Sequence, residues 1–449
     1  MTLHADDTIA AIATAPGTGG VGILRLSGTE AVAIGEKICG TLPALRTAAF
    51  RQFKNAAGQA LDQGLVLRFQ GPASFTGEDV VELHGHGGTV VMDSLLRAAL
   101  EFGARQADPG EFTQRAYLND KLDLAQAEAV ADLIESGSAE AARAALRSLQ
   151  GEFSARVHEL VDGVIHLRTW VEAAMDFPEE EIDFLADQRV LDQVDDLIQQ
   201  FTRLEQEAKQ GVLLSDGMHL VIAGRPNAGK SSLLNKLAGY DAAIVTDIPG
   251  TTRDLLRENI TIDGMPVHVV DTAGIRSHGD AIEKEGIRRA KAELEIADRA
   301  LLVIDTDEEL AKDDELYAEL PAGLAVTVVH NKIDLLDHDA ALREQDGQTE
   351  IYLSALTGEG IDLLREHLRE AAGFTGQGGS LSARRRHLDA LRKAHTQVQT
   401  AKSQLTDNRA GELMAEELRA AQQSLNEITG EFTSDDLLGE IFSSFCIGK

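Results

Sequence analysis

Cysteine is nearly missing: the 449-residue chain has two, Cys39 and Cys446, near opposite ends. That excludes a disulfide framework and a cysteine-built zinc site, and it fits a reducing, cytosolic setting. Long apolar runs are missing as well, so no segment is expected to cross a bilayer. Residues 1–16 carry Asp6 and Asp7 and lack the basic start and apolar middle of a signal peptide. Positive charge is scarce. Lys and Arg number 42 against 74 Asp and Glu, a formal charge of −32, so the surface in bulk repels nucleic acid and anionic membrane. Any RNA contact then calls for a local basic patch or a partner. What remains, 43% hydrophobic and 26% charged, is the balance of a folded chain long enough for about three domains.

Three textures follow one another. Residues 1–118 alternate short β-like runs (9–13, 22–26, 65–69, 80–83) with glycine-rich turns and a few helical stretches, the texture of an α+β domain. Residues 119–214 are rich in Ala, Leu, Glu and Gln at helical spacing, with one proline, Pro178. Long amphipathic helices are predicted, broken at Phe177-Pro178 because proline removes a helix donor. Residues 215–375 alternate strand-like runs (219–223, 267–270, 300–304, 325–330) with helical segments, which predicts a parallel sheet with crossover helices. A glycine-rich joint near 373–379 leads into renewed helical texture within 376–449. Helices on both sides of an α/β unit suggest one helical domain with that unit inserted, since α/β domains bring their chain ends close together. Two unrelated helical appendages are the other arrangement this texture allows.

Gly224-Arg225-Pro226-Asn227-Ala228-Gly229-Lys230-Ser231 is a G-x-x-x-x-G-K-S loop between the apolar run 219–223 and a helical 232–237. In that order, glycines let backbone N–H groups wrap phosphates at a helix N-terminus. The candidate contacts are Asn227, Ala228, Gly229, Lys230, Ser231 and Ser232, with Lys230 on the β/γ-phosphates and the Ser231 hydroxyl on magnesium. Asp271-Thr272-Ala273-Gly274 ends a second apolar run, where a carboxylate holds magnesium through water and a glycine N–H senses the γ-phosphate. Asn331-Lys332-Ile333-Asp334 ends a third. Asp334 there accepts from the N1–H and 2-amino groups of guanine, which adenine does not offer. Ser354, Ala355 and Leu356 supply a further loop against the base. Four such elements at the C-terminal ends of strands define a guanine-nucleotide site.

Between the first two elements lies Thr246-Asp247-Ile248-Pro249-Gly250-Thr251-Thr252. A threonine in such a segment, Thr252 here, closes on magnesium only when a γ-phosphate is present. After Gly274 comes Ile275, where a Ras-like enzyme has a water-orienting glutamine. Another group must do that work, and Glu283 is the nearest acid for it. Beside Lys284 and Glu285, it also reads as a solvated surface charge. Arg384-Arg385-Arg386, with Arg392 and Lys393, is the only concentrated basic run, suited to phosphate or to neighbouring acids. His84 and His86 flank Gly85 without a third ligand candidate nearby, and are expected to be loop histidines rather than a metal pair.

Five further motifs carry a resemblance. They are Gly19-Gly20-Val21-Gly22-Ile23-Leu24-Arg25, Phe75-Thr76-Gly77-Glu78-Asp79, Leu118-Asn119-Asp120-Lys121-Leu122-Asp123-Leu124, the stretch Asp176-Phe177-Pro178-Glu179-Glu180-Glu181-Ile182-Asp183-Phe184, and the terminal Phe445-Cys446-Ile447-Gly448-Lys449. With the nucleotide motifs, they make the chain resemble, over essentially its whole length, the MnmE/TrmE family of tRNA modification GTPases of the wobble-uridine carboxymethylaminomethyl pathway. The resemblance implies an α+β N-terminal domain that dimerises and binds 5-formyl- or 5,10-methylene-tetrahydrofolate, an all-α helical domain, and an inserted Ras-like P-loop GTPase domain. Folate contacts then fall on Arg25, Glu82, Lys121 and Lys449, cations suiting the folate's glutamate carboxylate and an acid its pterin edge. By themselves Arg25 and Lys121 read as surface ion-pair residues. The resemblance further implies GTPase domains that pair across a homodimer around a potassium ion held by Asn227, Thr246, Ile248 and Thr251, with Glu283 orienting water. It implies a flavin-dependent partner carrying FAD, joined in a heterotetramer, and a tRNA substrate modified with glycine or ammonium. Cys446 is open between a nucleophile beside the one-carbon donor and a packed anchor. A ribosome-assembly switch acting by binding alone, or a G protein whose N-terminal domain only dimerises, are the rival readings.

Overall fold

The computed structural model describes residues 7–176, 188–225, 227–239, 257–271, 297–306, 320–321, 323–336, 338–345, 348–376, 381–407, 410–431 and 435–448. The fold is multidomain: an α+β domain, a set of long helices, and an α/β unit with a phosphate loop. The chain divides into two compact units, one of Met1–Ala131, Leu149–Leu197 and Lys393–Lys449, the other of Asp132–Ser148 and Ile198–Arg392. Among the described residues no helix is long and apolar enough to cross a membrane.

In the first unit, six strands form a sheet in the order β3-β4-β5-β2-β1-β6. They are β1 (Ile9–Ile12), β2 (Gly19–Ser27), β3 (Ala49–Lys54), β4 (Ala60–Phe69), β5 (Val80–Gly87) and β6 (Arg105–Gln106). Alternation sorts their side chains onto two faces. Leu24, Leu26, Val81 and Leu83 pack in one core with Ile34 and Ile38 of helix α1 (Ala31–Cys39) and Leu95 of helix α2 (Thr89–Glu101). The alternate positions Arg25 and Glu82 therefore stand on the other face, directly paired in register. A slip of β2 by one residue would exchange its faces and turn Arg25 into the apolar core.

Helix α3 (Glu111–Leu118) anchors an ion network beneath this sheet. Glu111, 2% exposed, accepts from Arg105 Nη2 at 2.5 Å, Arg115 Nη2 at 3.0 Å and the Asp108 N–H at 2.8 Å. Arg115 also reaches Asp7 at 2.5 Å and Glu78 at 3.1 Å. Burial works to raise the Glu111 carboxyl, but bonds from Arg105, Asp108 and Arg115 hold it below its ordinary 4.5. A folded value below the unfolded one means this stability is present above the unfolded value and is lost as pH falls through the folded one. Glu111→Gln should thus cost about 3 kcal/mol at neutral pH, because it leaves two arginines short of a buried partner. Urea titrations should show the gap to wild type closing as pH falls below the ordinary 4.5 and through the lowered folded value. A gap that stays constant over that range would contradict the network's role.

Helix Glu152–Asp176 runs beside helix Gly411–Thr429. Phe153, Val157, Leu160, Val164, Leu167 and Val171 recur at three- and four-residue spacing, and all are buried. Met414, Leu418, Leu425 and Ile428 make the matching stripe on the partner. Asp176 is the last described residue of the first helix, and the break expected at Phe177-Pro178 lies outside the described residues. Helix Asp435–Ser443 then sets Phe442 against Tyr117, ring centroids 6.3 Å apart.

The second unit is built on a seven-stranded sheet of order β12-β13-β11-β10-β7-β9-β8. Its strands are β7 (Met218–Gly224), β8 (Arg257–Ile262), β9 (Met265–Asp271), β10 (Arg299–Asp305), β11 (Ala325–Asn331), β12 (Ala341–Gln345) and β13 (Gln348–Tyr352). β13, β11, β10, β7 and β9 are parallel; β8 and β12 are antiparallel edges. The central strands are buried on both faces, as parallel strands are, so they read as continuous apolar runs. After β7 the chain builds β8 and β9 on one side of it and returns to β10 on the other, which opens a crevice at the strand ends. Ala141 and Ala144, from helix Ala139–Leu149, join the core of this unit with Leu220 and Ile262.

Candidate functional site

The phosphate loop leaves β7 at Gly224 and enters helix Lys230–Ala238. Both flanking glycines are required. Gly224 has φ +152 and a Cβ there would run into the Val303 carbonyl of β10; Gly229 has φ +91 and leaves room for Asn331 Nδ2. Asn227 also takes a left-handed φ, +65, and is exposed, while Ala228 is buried. Lys230 Nζ crosses the loop mouth to the carbonyls of Gly224 (3.0 Å) and Arg225 (2.9 Å). Leu233, Leu234 and Leu237 hold the helix to the core, so Ser231 and Ser232 face solvent in its first turn. A helix start with exposed hydroxyls and one lysine beside it has the chemistry to take a polyphosphate.

The base side is tied to that loop by one side chain. Asn331, 2% exposed at the end of β11, donates Nδ2–H to the Ala228 carbonyl at 2.8 Å and accepts the Ala355 N–H on Oδ1 at 2.9 Å. Its own carbonyl accepts the Thr306 hydroxyl at 2.5 Å. Lys332, with φ +71, pairs with Asp305 of β10 at 2.8 Å. A short 3-10 turn, Ile333–Leu335, then places Asp334, whose Oδ1 accepts from the buried Ser354 hydroxyl at 2.5 Å. Leu356 beyond it is 76% exposed. The structure therefore brings Ala228, Asn331, Asp334, Ser354 and Ala355 into one connected set. Thr306 and Asp305 were not visible as site residues in the sequence, since both lie outside the motifs they support.

Asp271 ends β9, paired in register with Ile222 of β7 just before the phosphate loop. Thr246, Asp247, Ile248, Pro249, Gly250, Thr251, Thr252, Thr272, Ala273, Gly274, Ile275, Glu283 and Lys449 lie outside the described residues.

A second polar cluster occupies the first unit. Arg25 Nε donates to Glu82 Oε1 at 2.9 Å, and Glu82 Oε2 lies 3.2 Å from His84 Nε2. The Arg25 guanidinium also lies 5.7 Å from the Phe75 ring centroid and 5.6 Å from that of buried Phe112. Lys121 Nζ donates to the Pro72 carbonyl at 3.0 Å, on the same loop as Phe75. Beside Lys121 opens a cavity of about 510 Å³ lined by Tyr117, Asp120, His158 and Glu431 among others. His84 and His86 are not loop residues as expected. Both sit on β5, because its alternation runs on to Gly87, and His86 pairs with Asp62 at 2.8 Å. Among the described residues no three potential ligands meet to hold a metal ion.

The C-terminal tail lies against the same unit. The Gly110 N–H donates to the Cys446 carbonyl at 3.3 Å, Ile447 bridges Pro109, and Gly448 sits against Ile12 where a Cβ would not fit. Ile447 lines a cavity of about 320 Å³ with Ile12, Thr14, Met92 and Leu96. Phe442 and Phe445 are buried and anchor the tail, whereas the Cys446 side chain is exposed. Cys39 is the opposite case: burial pushes its thiol up to about 11. Of the basic run, Arg384 bonds Asp132 at 2.8 Å, Arg392 lies 3.9 Å from Asp389, and Lys393 lies 3.9 Å from Glu427.

Comparison with known proteins places the chain in a family. The family model described as the GTP-binding protein TrmE N-terminus matches residues 8–121, which contain Arg25 and Glu82. The one described as the MnmE helical domain matches 124–446, a span that brackets the whole seven-stranded sheet. The tRNA modification GTPase MnmE of Pasteurella multocida (strain Pm70) is 58% identical over 450 residues, covering 99% of this chain and 100% of that protein. The protein of the same name from Haemophilus influenzae (strain PittEE) matches at the same identity and coverage. From the N-terminal sheet through the phosphate loop to the docked tail, the chain belongs to the MnmE family of tRNA modification GTPases.

Proposed function

We propose that this GTPase is potassium-activated and acts in tRNA modification as a homodimer with a flavin-dependent, FAD-carrying partner. Its product is a carboxymethylaminomethyl or aminomethyl group on C5 of the wobble uridine, with the carbon drawn from a tetrahydrofolate. The observation that carries this reading is the extent of the likeness. It spans the whole chain, so the parts with no role in nucleotide binding also match the tRNA-modifying relatives. A ribosome-assembly switch has no use for them.

In this reading the domains are 1–118 for folate and dimerisation, 119–214 and 376–449 for the helical domain, and 215–375 for nucleotide. Asn227, Ala228, Gly229, Lys230, Ser231 and Ser232 hold the phosphates of GTP, and Asp334 reads the guanine edge, supported by Ser354, Ala355 and Leu356. Ser231 is exposed in the first helical turn, and its hydroxyl with that of Thr252 suits magnesium, which takes oxygen donors. Asn227, exposed and left-handed, offers a side-chain oxygen to potassium, with Thr246, Ile248 and Thr251 completing the set. Bound there, the two cations neutralise charge that develops on the phosphates. Glu283 orients the attacking water. Arg25, Glu82, Lys121 and Lys449 hold the folate: the partly exposed Glu82 carboxylate, already oriented by Arg25 and His84, suits the pterin edge. The exposed Cys446 is available as a nucleophile at the same unit. Hydrolysis by paired nucleotide domains drives the conformational change.

Wobble-uridine analysis by mass spectrometry tests the reading. Cells lacking this protein should lose the C5-modified nucleoside, and its return should require a chain with an intact Lys230. An unchanged nucleoside profile would sink the modification reading and favour the binding switch.

A further inference from the structure

Residues 70–79 form a loop that is fastened along its length. The Ala73 N–H donates to Gln70 O at 2.9 Å, the Gly71 N–H to Asp79 Oδ1 at 3.0 Å, and the Ser74 hydroxyl to Glu78 O at 2.6 Å. Thr76, fully buried, bonds Ser27 at 2.7 Å, and its carbonyl accepts from Asn119 Nδ2 at 2.7 Å. For all this fastening, the loop leaves the ring of Phe75 40% exposed. An exposed apolar side chain alone is ordinary. This one is unusual in its company, because Arg25 lies 5.7 Å from the ring, Glu82 is bonded to Arg25, and Lys121 is bonded to the loop itself.

We infer that Phe75 is the stacking platform of the one-carbon-donor site, on which the flat pyrimidinone ring of the pterin lies while its amide edge meets Glu82. This rests on the folate reading above. The chemistry of a pterin divides between edge and face. A carboxylate satisfies the edge in the plane of the ring, but it does nothing for the faces, which remain wet unless an apolar surface covers one of them. Arg25 positions both halves, since it bonds the carboxylate through Nε and presents its guanidinium to the phenyl ring. The loop's hydrogen bonds set the ring in place before the ligand arrives, which spares part of the ordering cost of binding.

Isothermal titration of the full-length homodimer with 5-formyltetrahydrofolate tests the inference. Phe75→Ala and Phe75→Leu should each weaken binding by about tenfold or more, and Phe75→Tyr should stay within about twofold of wild type. Leucine keeps the bulk and loses the π-face, so Phe75→Leu binding as tightly as wild type would overturn the stacking role. p-Aminobenzoylglutamate, which lacks the pterin, should bind all four proteins alike. Equal weakening of that fragment by Phe75→Ala would mean a disturbed loop and would overturn the inference too. If wild type binds neither compound, the folate reading itself fails and this inference with it. If wild type binds and the variants match it, only the role of Phe75 fails.

Discussion

Asp334→Asn should weaken GTP binding about a hundredfold and turn the preference toward xanthine nucleotides. In the proposed reading the Asp334 carboxylate accepts from both the N1–H and the 2-amino group of guanine. An amide keeps one acceptor and points a donor at a donor. Hydrogen bonds to a charged group contribute about 1.5–3 kcal/mol each, and an unpaired donor left in a dry site costs a similar amount. Xanthine has a carbonyl where guanine has its amino group, so the new donor finds a partner. The surroundings should tolerate the change: Ser354 donates to Oδ1 at 2.5 Å, and an amide oxygen accepts that bond as well. Competition titrations with a fluorescent GTP analogue against GTP and XTP read both effects. Retained preference for GTP would refute the assignment of Asp334.

Glu283→Ala should depress turnover by about 10²–10⁴-fold, or about 3–5 kcal/mol of barrier, with nucleotide affinity nearly unchanged. A residue that positions water acts in the transition state and touches GTP little in the ground state, so kcat falls without KM following. The need for such a group comes from Ile275, which has no hydrogen-bonding side chain at the position that follows Asp271-Thr272-Ala273-Gly274. A solvated surface acid would instead change any measured quantity by no more than about 0.5 kcal/mol. Single-turnover hydrolysis in saturating potassium separates the two, with dimerisation checked by a transition-state mimic. If the proposed potassium site is right, the same assay in sodium should be slow for wild type, because the smaller ion would sit loosely among oxygens spaced for potassium. Wild-type rates for the variant would return Glu283 to the surface.

Much of this protein was legible along the chain. The nucleotide motifs follow apolar runs that turn out to be central strands, and the reason is that a short run buried on both faces has few other uses. The runs were read one to three residues short: 219–223 is Met218–Gly224, and 300–304 is Arg299–Asp305. Edge strands escaped. In Ala49–Lys54 only Phe53 is buried, and in Ala341–Gln345 no residue is. Such strands are held by a neighbour's hydrogen bonds, which leave no apolar period in their own residues.

Sequence by itself determined the local things: which stretches are helical, where glycine must stand, and which residue types can hold phosphate, guanine and water. Only the tertiary structure decided which distant groups meet. Arg25 faces Glu82, 57 residues away, because the register of β2 on β5 puts them opposite. Asn331 joins the phosphate loop to the loop at Ala355 because β11 delivers it between Ala228 and Ala355. Helix Ala139–Leu149 and helix Glu152–Asp176 both lie in the same stretch of helical spacing. Yet Ala141 and Ala144 pack with the strands of the nucleotide unit, whereas Glu152–Asp176 lies beside Gly411–Thr429. The physical reason is the same in each case. A periodic stripe states that a face will be buried, and only the packing of the whole chain selects the surface that buries it.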